Sequence, residues 1–301
     1  NSGNLDVPFK DIKTVYVDEV QDRIYVGAHA GGMMVLHRKS GYIEYYNRHN
    51  SNLPSNNIYS IISDGYGGLW VASLEYLLHF DIDKRNFTIV DVDGDGHKLQ
   101  QYNRLLFCDS KKRIWAGGEM GISVFNQVGT SLLPNTDFQI ASVLKQAFVN
   151  CFYETSSGYL WIGTRNGLFA LKESDKQFLQ YTTENGLPSN VIYGILEDAY
   201  GRLWISTNQG LSCLNSESGK FRNFTIMDGL QGNQFNAGAY CRKDNGYMLF
   251  GGVNGITSFR PETLIDNPYA PKPVINKLFV HNKEVLPDDE TGILKESITY
   301  V

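Results

Sequence analysis

Two sets of polar residues in this sequence have types and spacing that suit chemistry. Asp91-Val92-Asp93-Gly94-Asp95-Gly96 places three carboxylates two residues apart, with glycines between and after them. That is the oxygen-ligand spacing of the first half of a calcium loop, where alternate acids converge on one ion at a sharp turn. The bidentate acid expected at the twelfth position is replaced by Tyr102, so the segment also reads as a solvated connection. No cofactor is expected, with calcium at this loop as the one exception, and no metal ligands are assigned. The second set is His29, Glu75, Tyr76, Glu119, Arg165, Asn166, Asn208 and Asn254. These residues donate to and accept from hydroxyl or carboxylate oxygens, and Tyr76 and Tyr102 offer flat stacking surfaces.

Catalytic signatures are missing. There is no Gly-x-Ser-x-Gly, no phosphate loop and no His-Glu-x-x-His, and the 6 histidines are scattered without ligand spacing. No catalytic residue is assigned. The 4 cysteines, Cys108, Cys151, Cys213 and Cys241, lack a Cys-x-x-Cys pair and read as buried free thiols. Among 301 residues, 27 Lys and Arg stand against 32 Asp and Glu, giving a net charge of −5. Without a basic cluster, this region is not expected to bind nucleic acid. No apolar run reaches the roughly 18–20 residues of a membrane helix, so membrane attachment is expected only through segments outside this chain.

What positions the second set is a repeat. Tyr25, Trp70, Trp115, Trp161, Trp204 and Leu249 recur 43–46 residues apart, each inside a short apolar run such as Leu160-Trp161-Ile162-Gly163-Thr164. Six residues after the anchor stands Gly31, Gly121, Gly167, Gly210 or Gly255, with Tyr76 as the departure. Three residues before it stands a Gly, or Asp22 or Lys112, and six before it Asp64, Asp109 and Asp198 recur. A catalytic group is needed once, so the repeated acids read as turn formers. Each unit parses into four short strands: in the fifth, 191–197, 202–207, 211–215 and 220–226, separated by Asp-, Asn- and Gly-bearing turns.

Four strands per repeat of about 45 residues is the pattern of a β-propeller blade. The expected fold is all-β: six visible repeats over residues 1–269, part of a seven-bladed or tandem propeller, then the start of a β-sandwich at 270–301. The sixth repeat has no obvious fourth strand after Phe259. Residues 138–147 read as a loop with a turn of helix. The repeated Trp is expected to pack between blades. Strand direction alternates within a blade, so the loop after the anchor strand shares a face with the inter-blade connections. That first face collects the second polar set, while the two remaining turns point the other way. A rigid scaffold with varied loops is how binding sites are commonly built.

Residues 186–214 (GLPSNVIYGILEDAYGRLWISTNQGLSCL), 53–73 and 160–168 (LWIGTRNGL) resemble the two-component regulator propeller repeat. After Pro271-Lys272-Pro273, residues 274–285 read as strand, His-Asn turn and strand, and resemble the opening of the immunoglobulin-like triple-tyrosine domain that follows such propellers. The resemblance implies the periplasmic sensor region of an inner-membrane hybrid two-component histidine kinase/response regulator. In that family such a region binds an oligosaccharide from polysaccharide breakdown, signals across the membrane and works as a homodimer. It implies no enzyme activity for this region. The alternatives are a glycan lyase or hydrolase on a propeller, and a protein-interaction propeller without a small ligand.

Overall fold

The structure, a computed structural model, describes residues 9–73, 76–90, 103–119, 121–135, 144, 146–172, 177–264 and 277–285. The chain divides into two compact units, Asn1–Pro261 and Glu262–Val301. The boundary expected at 269/270, the Asp91–Asp95 loop, Tyr102 and most of 138–147 lie outside the described residues.

The first unit is a β-propeller of six antiparallel sheets in chain order, five of them four-stranded. The fifth blade is typical. Its strands run Ile192–Glu197, Leu203–Thr207, Gly210–Asn215 and Lys220–Phe224, each paired with the next. The sixth blade has three strands among the described residues, Phe235–Arg242, Met248–Gly252 and Gly255–Phe259. Inner strands of successive blades pack on one another from the first to the sixth. In the second unit, Leu278–Val280 and Lys283–Val285 form a hairpin. His281 and Asn282 turn it with φ of 48° and 63°, the left-handed pair that a tight hairpin turn requires.

The anchors of the first five repeats face the following blade, Tyr25 packing with Ile58 and Val71 of the second. Trp70 packs with Leu106, Ile114 and Phe125 of the third blade. Trp115 packs with Phe152 and Ile162 of the fourth, and Trp161 with Ile192 and Ile205 of the fifth. Trp204 packs with Phe235 and Phe250 of the sixth. A lone sheet leaves both faces wet; one anchor ring per interface, Tyr25 in the first and an indole in the next four, fills the gap and removes a large apolar area from water. Polar clamps add to this packing. Glu154 accepts from the Ser110 N–H and hydroxyl at 2.7 Å each, and Glu197 accepts from those of Ser156 at 3.0 and 3.1 Å.

The repeated turn residues have physical causes. The position three before the anchor has positive φ in the second, third, fourth, fifth, sixth and first blades alike: Gly67, Lys112, Gly158, Gly201, Gly246 and Asp22. The glycine after the anchor strand is fixed twice over. Gly167 has φ of 119°, and a Cβ there would meet the Tyr181 carbonyl oxygen at 2.6 Å. Its N–H donates to the Asn190 carbonyl at 2.8 Å, and the Asn190 side chain accepts from Thr183 N–H at 2.9 Å. Asn190 of Leu-Pro-Ser-Asn thus buckles the inter-blade connection to the preceding blade. In the first blade the same bond to Asn56 comes from Gly32 rather than Gly31, because that loop is one residue longer. The sequence reading also missed single 3-10 turns at Thr183–Asn185 and Ile226–Asp228, each opened by a capping box, on Thr182 and on Thr225.

Two of the four thiols depart from the expected burial. Cys151 and Cys213 are buried, and burial pushes them up to about 12 and about 11. Cys108 is half-buried and Cys241 is exposed on the inner strand of the sixth blade.

Candidate functional site

The inner strand of each of the first five blades breaks register near its start by skipping one residue, and that of the sixth breaks over a longer stretch. The skipped residues are Lys13, Tyr59, Arg104, Asn150 and Tyr193 in the first five blades; in the sixth the break spans Phe235 to Tyr240. A bulge re-aims a side chain and ends regular pairing locally. Repeated around a propeller, it sets a ring of residues at the starts of the inner strands, on the first face. Their chemistry changes from cation to phenol to amide while the backbone device is kept.

Two of these bulge residues join three of the expected ones. The Arg104 guanidinium lies 5.1 Å from the Tyr59 ring centroid and 5.9 Å from that of Phe148. Arg165, from the loop after the fourth anchor strand, lies 3.6 Å from the same Phe148 ring. Its backbone N–H donates to the Phe148 carbonyl at 3.0 Å, which fixes the loop against the inner strand. Glu119 pairs with Arg104. The His29 ring lies 6.3 Å from the Tyr59 ring, and 3.8 Å from Asp11. Two guanidiniums therefore share one phenyl ring, and Arg104 alone pairs with the Glu119 carboxylate. The Arg104 Nε is buried without a partner, and Arg165 is exposed. Such an arrangement carries net positive charge and presents planar donors beside aromatic faces. It suits a carboxylate or other oxyanion on a ligand that also has a flat apolar side.

The other expected residues sit in the corresponding loops of their own blades. Asn166 is exposed, donates its N–H to Thr164 Oγ1 at 2.9 Å and accepts from Gln180 at 3.1 Å. The Asn208 Oδ1 is buried without a partner. Asn254 is exposed and its N–H donates to Gln231 at 2.8 Å. Tyr76 is half-buried against the core of the first two blades, so its ring is not an open platform. Glu75 lies outside the described residues. The sequence reading missed Tyr59, Arg104 and Phe148. A signal existed: Tyr59, Arg104, Asn150 and Tyr193 each stand eleven residues before their anchor, and they vary within otherwise apolar strands.

The opposite face holds the repeated acids. Asp198 accepts from the N–H groups of Tyr200 and Arg202, from Arg202 Nε at 2.7 Å and from Trp204 Nε1 at 3.0 Å. Asp109 makes the same set with Lys111, Arg113 and Trp115. Asp64 instead bonds His79 at 2.7 Å, and the Trp70 N–H goes to Gln127. These carboxylates are buried turn organisers. Among the described residues no group of three or more His, Cys, Asp or Glu is placed to hold a metal ion. No helix among them is long and apolar enough to cross a membrane.

Comparison with known proteins shows what the chain is similar to. The two component regulator propeller family matches residues 52–75, 144–166 and 186–209. These are the starts of the second, fourth and fifth repeats. A protein called histidine kinase P4 of Formosa agariphila is 28% identical over 231 residues, 74% of this chain and 17% of that relative. The extracellular domain of a proposed hybrid two component system from B. thetaiotaomicron superposes with a TM-score of 0.68 at 20% identity, over 94% of this chain and 44% of its own. Virginiamycin B lyase from Staphylococcus aureus shares the fold with a TM-score of 0.62 at 14% identity, over 85% of each chain. The chain thus spans under a fifth of the curated relative it matches and under half of the first of these structures. It is a β-propeller, and its second, fourth and fifth repeats match the two component regulator propeller family.

Proposed function

We propose that this region is the extracytoplasmic, ligand-sensing part of a hybrid two-component histidine kinase/response regulator. It binds an oligosaccharide released by polysaccharide breakdown and has no catalytic role itself. The likeness to a protein called a histidine kinase and to extracellular domains of two component systems supports the sensor reading. In that setting the region lies in the periplasm, and the whole protein works as a homodimer whose arrangement shifts on binding. A shift of this kind requires different affinities for the two arrangements.

The observation that carries the ligand reading is the cluster on the first face, with Arg104 and Arg165 sharing the Phe148 ring beside Tyr59. Sugars bring hydroxyls for the Asn and Glu of the loops and a C–H face for the rings. An acidic sugar adds the oxyanion that two arginines attract. The test is a thermal-shift screen of the chain against neutral, uronate-bearing and sulfated oligosaccharides. A ligand at a hundred times its dissociation constant stabilises by about 2.7 kcal/mol. A shift with an acidic oligosaccharide that disappears in Arg165→Gln supports the reading. A well-folded sample that no glycan shifts, yet which retains a second protein, would replace it with an interaction platform.

A further inference from the structure

The fourth blade breaks the rule that the third and fifth obey. In those two the anchor Trp N–H ends on the turn Asp, and that Asp also holds an Arg. In the fourth blade Thr155 stands at the Asp position and Tyr159 at the Arg position. Thr155 Oγ1 turns to Tyr159 N–H at 3.1 Å and to Tyr159 C=O at 3.2 Å. Trp161, only 2% exposed, is left with its indole N–H buried and unpartnered. The Asp–Arg pair is replaced by rings. Tyr181 stacks on Trp161 with centroids 5.8 Å apart and planes at 28°, and Tyr159 lies 6.1 Å away on the same indole. Beside them a cavity of about 390 Å³ opens between the fourth and fifth blades, on the face opposite the guanidinium cluster. That size falls in the range of small-ligand pockets.

The rim selects among ligands by charge. Arg202 is committed to Asp198, and Glu197 to Ser156. Glu217 lines the same cavity with Asn215 and Ser216 and has no ion-pair partner among the described residues, while Arg202, held by Asp198, is the one cation in the lining. An acid, an amide and a hydroxyl over an aromatic floor suit sugar hydroxyls above a C–H face, and the net negative charge opposes an acidic sugar. We propose that this groove is a second ligand site, specific for a neutral saccharide and separate from the first-face cluster. The unpaired Trp161 donor gains an acceptor when a ligand oxygen enters beside the tyrosine rings. The proposal does not depend on what the first face binds.

The test uses the four indole N–H resonances of the 15N-labelled chain, with the Trp161 peak assigned from Trp161→Phe. Lactose, cellobiose and maltotriose are added separately to about 10 mM, enough to fill a site of millimolar affinity; digalacturonate is the acidic control. The expected result is that at least one neutral probe moves the Trp161 peak downfield, leaves the other three in place and gives a larger shift than digalacturonate. Thr155→Asp with Tyr159→Arg, which rebuilds the pair of the fifth blade, abolishes the shift. Should that variant lose its dispersed spectrum, Leu179→Arg plugs the same cavity from an exposed position on the outer strand, with the same expected loss. A Trp161 peak that no neutral probe moves, one that only digalacturonate moves, or a shift that survives Leu179→Arg overturns the proposal.

Discussion

The fourth and fifth blades have nearly the same strands and the same buried Trp, and they treat that Trp in opposite ways. Trp204 donates to a carboxylate that also organises its turn and holds Arg202. Trp161 donates to nothing and is enclosed by tyrosines instead. The packing role of the indole survives in both, so the fold does not require the polar partner. The difference shows that the Trp and its acid are separable: the ring seals the blade interface, and the acid braces the turn. Where the acid is gone, the space beside the ring becomes available to something else.

The largest expected effect is in the brace. Asp198→Ala strips Arg202, Trp204 and two turn N–H groups of their acceptor in one step. Removing one partner of a buried pair costs about 3–5 kcal/mol, and the partial exposure of Arg202 places this case near the lower end, roughly 3 kcal/mol. Thr155→Ala removes only a turn hydroxyl and should cost about 1 kcal/mol. Urea unfolding of the two variants measures the difference directly; equal losses would break the contrast between the blades.

Next is the indole itself. Trp204→Phe leaves Asp198 short of one donor, whereas Trp161→Phe removes an N–H that already lacks a partner. A buried polar group left unpaired costs about 1–3 kcal/mol. Trp204→Phe should therefore be the more destabilising by about 1–2 kcal/mol in the same denaturant measurement. Grafting sharpens the comparison further. Thr155→Asp alone buries a carboxylate without its Arg, and Tyr159→Arg alone places a cation beside Trp161 without its acid. Together they should show a favourable coupling of about 1–3 kcal/mol in a double-mutant cycle. Additive effects would mean that the fourth blade cannot accommodate the pair.

The smallest effect concerns the thiols beside these interfaces. Burial holds Cys151 up to about 12 and Cys213 up to about 11, so neither carries appreciable thiolate at pH 8. Iodoacetamide should label the exposed Cys241 first and these two only on unfolding, as mass spectrometry of timed samples would read. Early labelling of Cys151 but not Cys213 would mean that the fourth blade opens locally.

Much of this fold was legible because the repeat exposes its own causes. The period located six blades, and the strands of the fifth fall within two residues of their expected limits. The Gly-or-Asp22-or-Lys112 position was visible as a column, and its positive φ explains why Gly dominates there and why its departures are turn-tolerant or exposed. The site was less legible. Loop residues such as Arg165 could be placed on a face because strand direction alternates. Arg104 and Tyr59 could not, because alternation alone assigns an inner-strand residue to one side of the sheet, and the bulge breaks that alternation. Phe148 precedes its strand and reads as ordinary core until the two guanidiniums are seen over it. The orphaned Trp161 was hidden for a different reason. Thr155 is a normal turn residue, and only the bonds of the neighbouring blades reveal what it fails to supply.

The central claim is that the guanidinium cluster of the first face is a ligand site. Its most direct measurement is a calorimetric titration of the chain with an acidic oligosaccharide found in the screen, repeated with Arg165→Gln and with Asp198→Ala as the stability control. The account predicts that Arg165→Gln weakens binding by at least about tenfold, a loss of roughly 1.4 kcal/mol, with an unchanged melting temperature. Asp198→Ala, less stable but folded below its melt, should bind as the native chain does. Equal affinity in Arg165→Gln, or a loss that follows stability rather than the arginine, would contradict it.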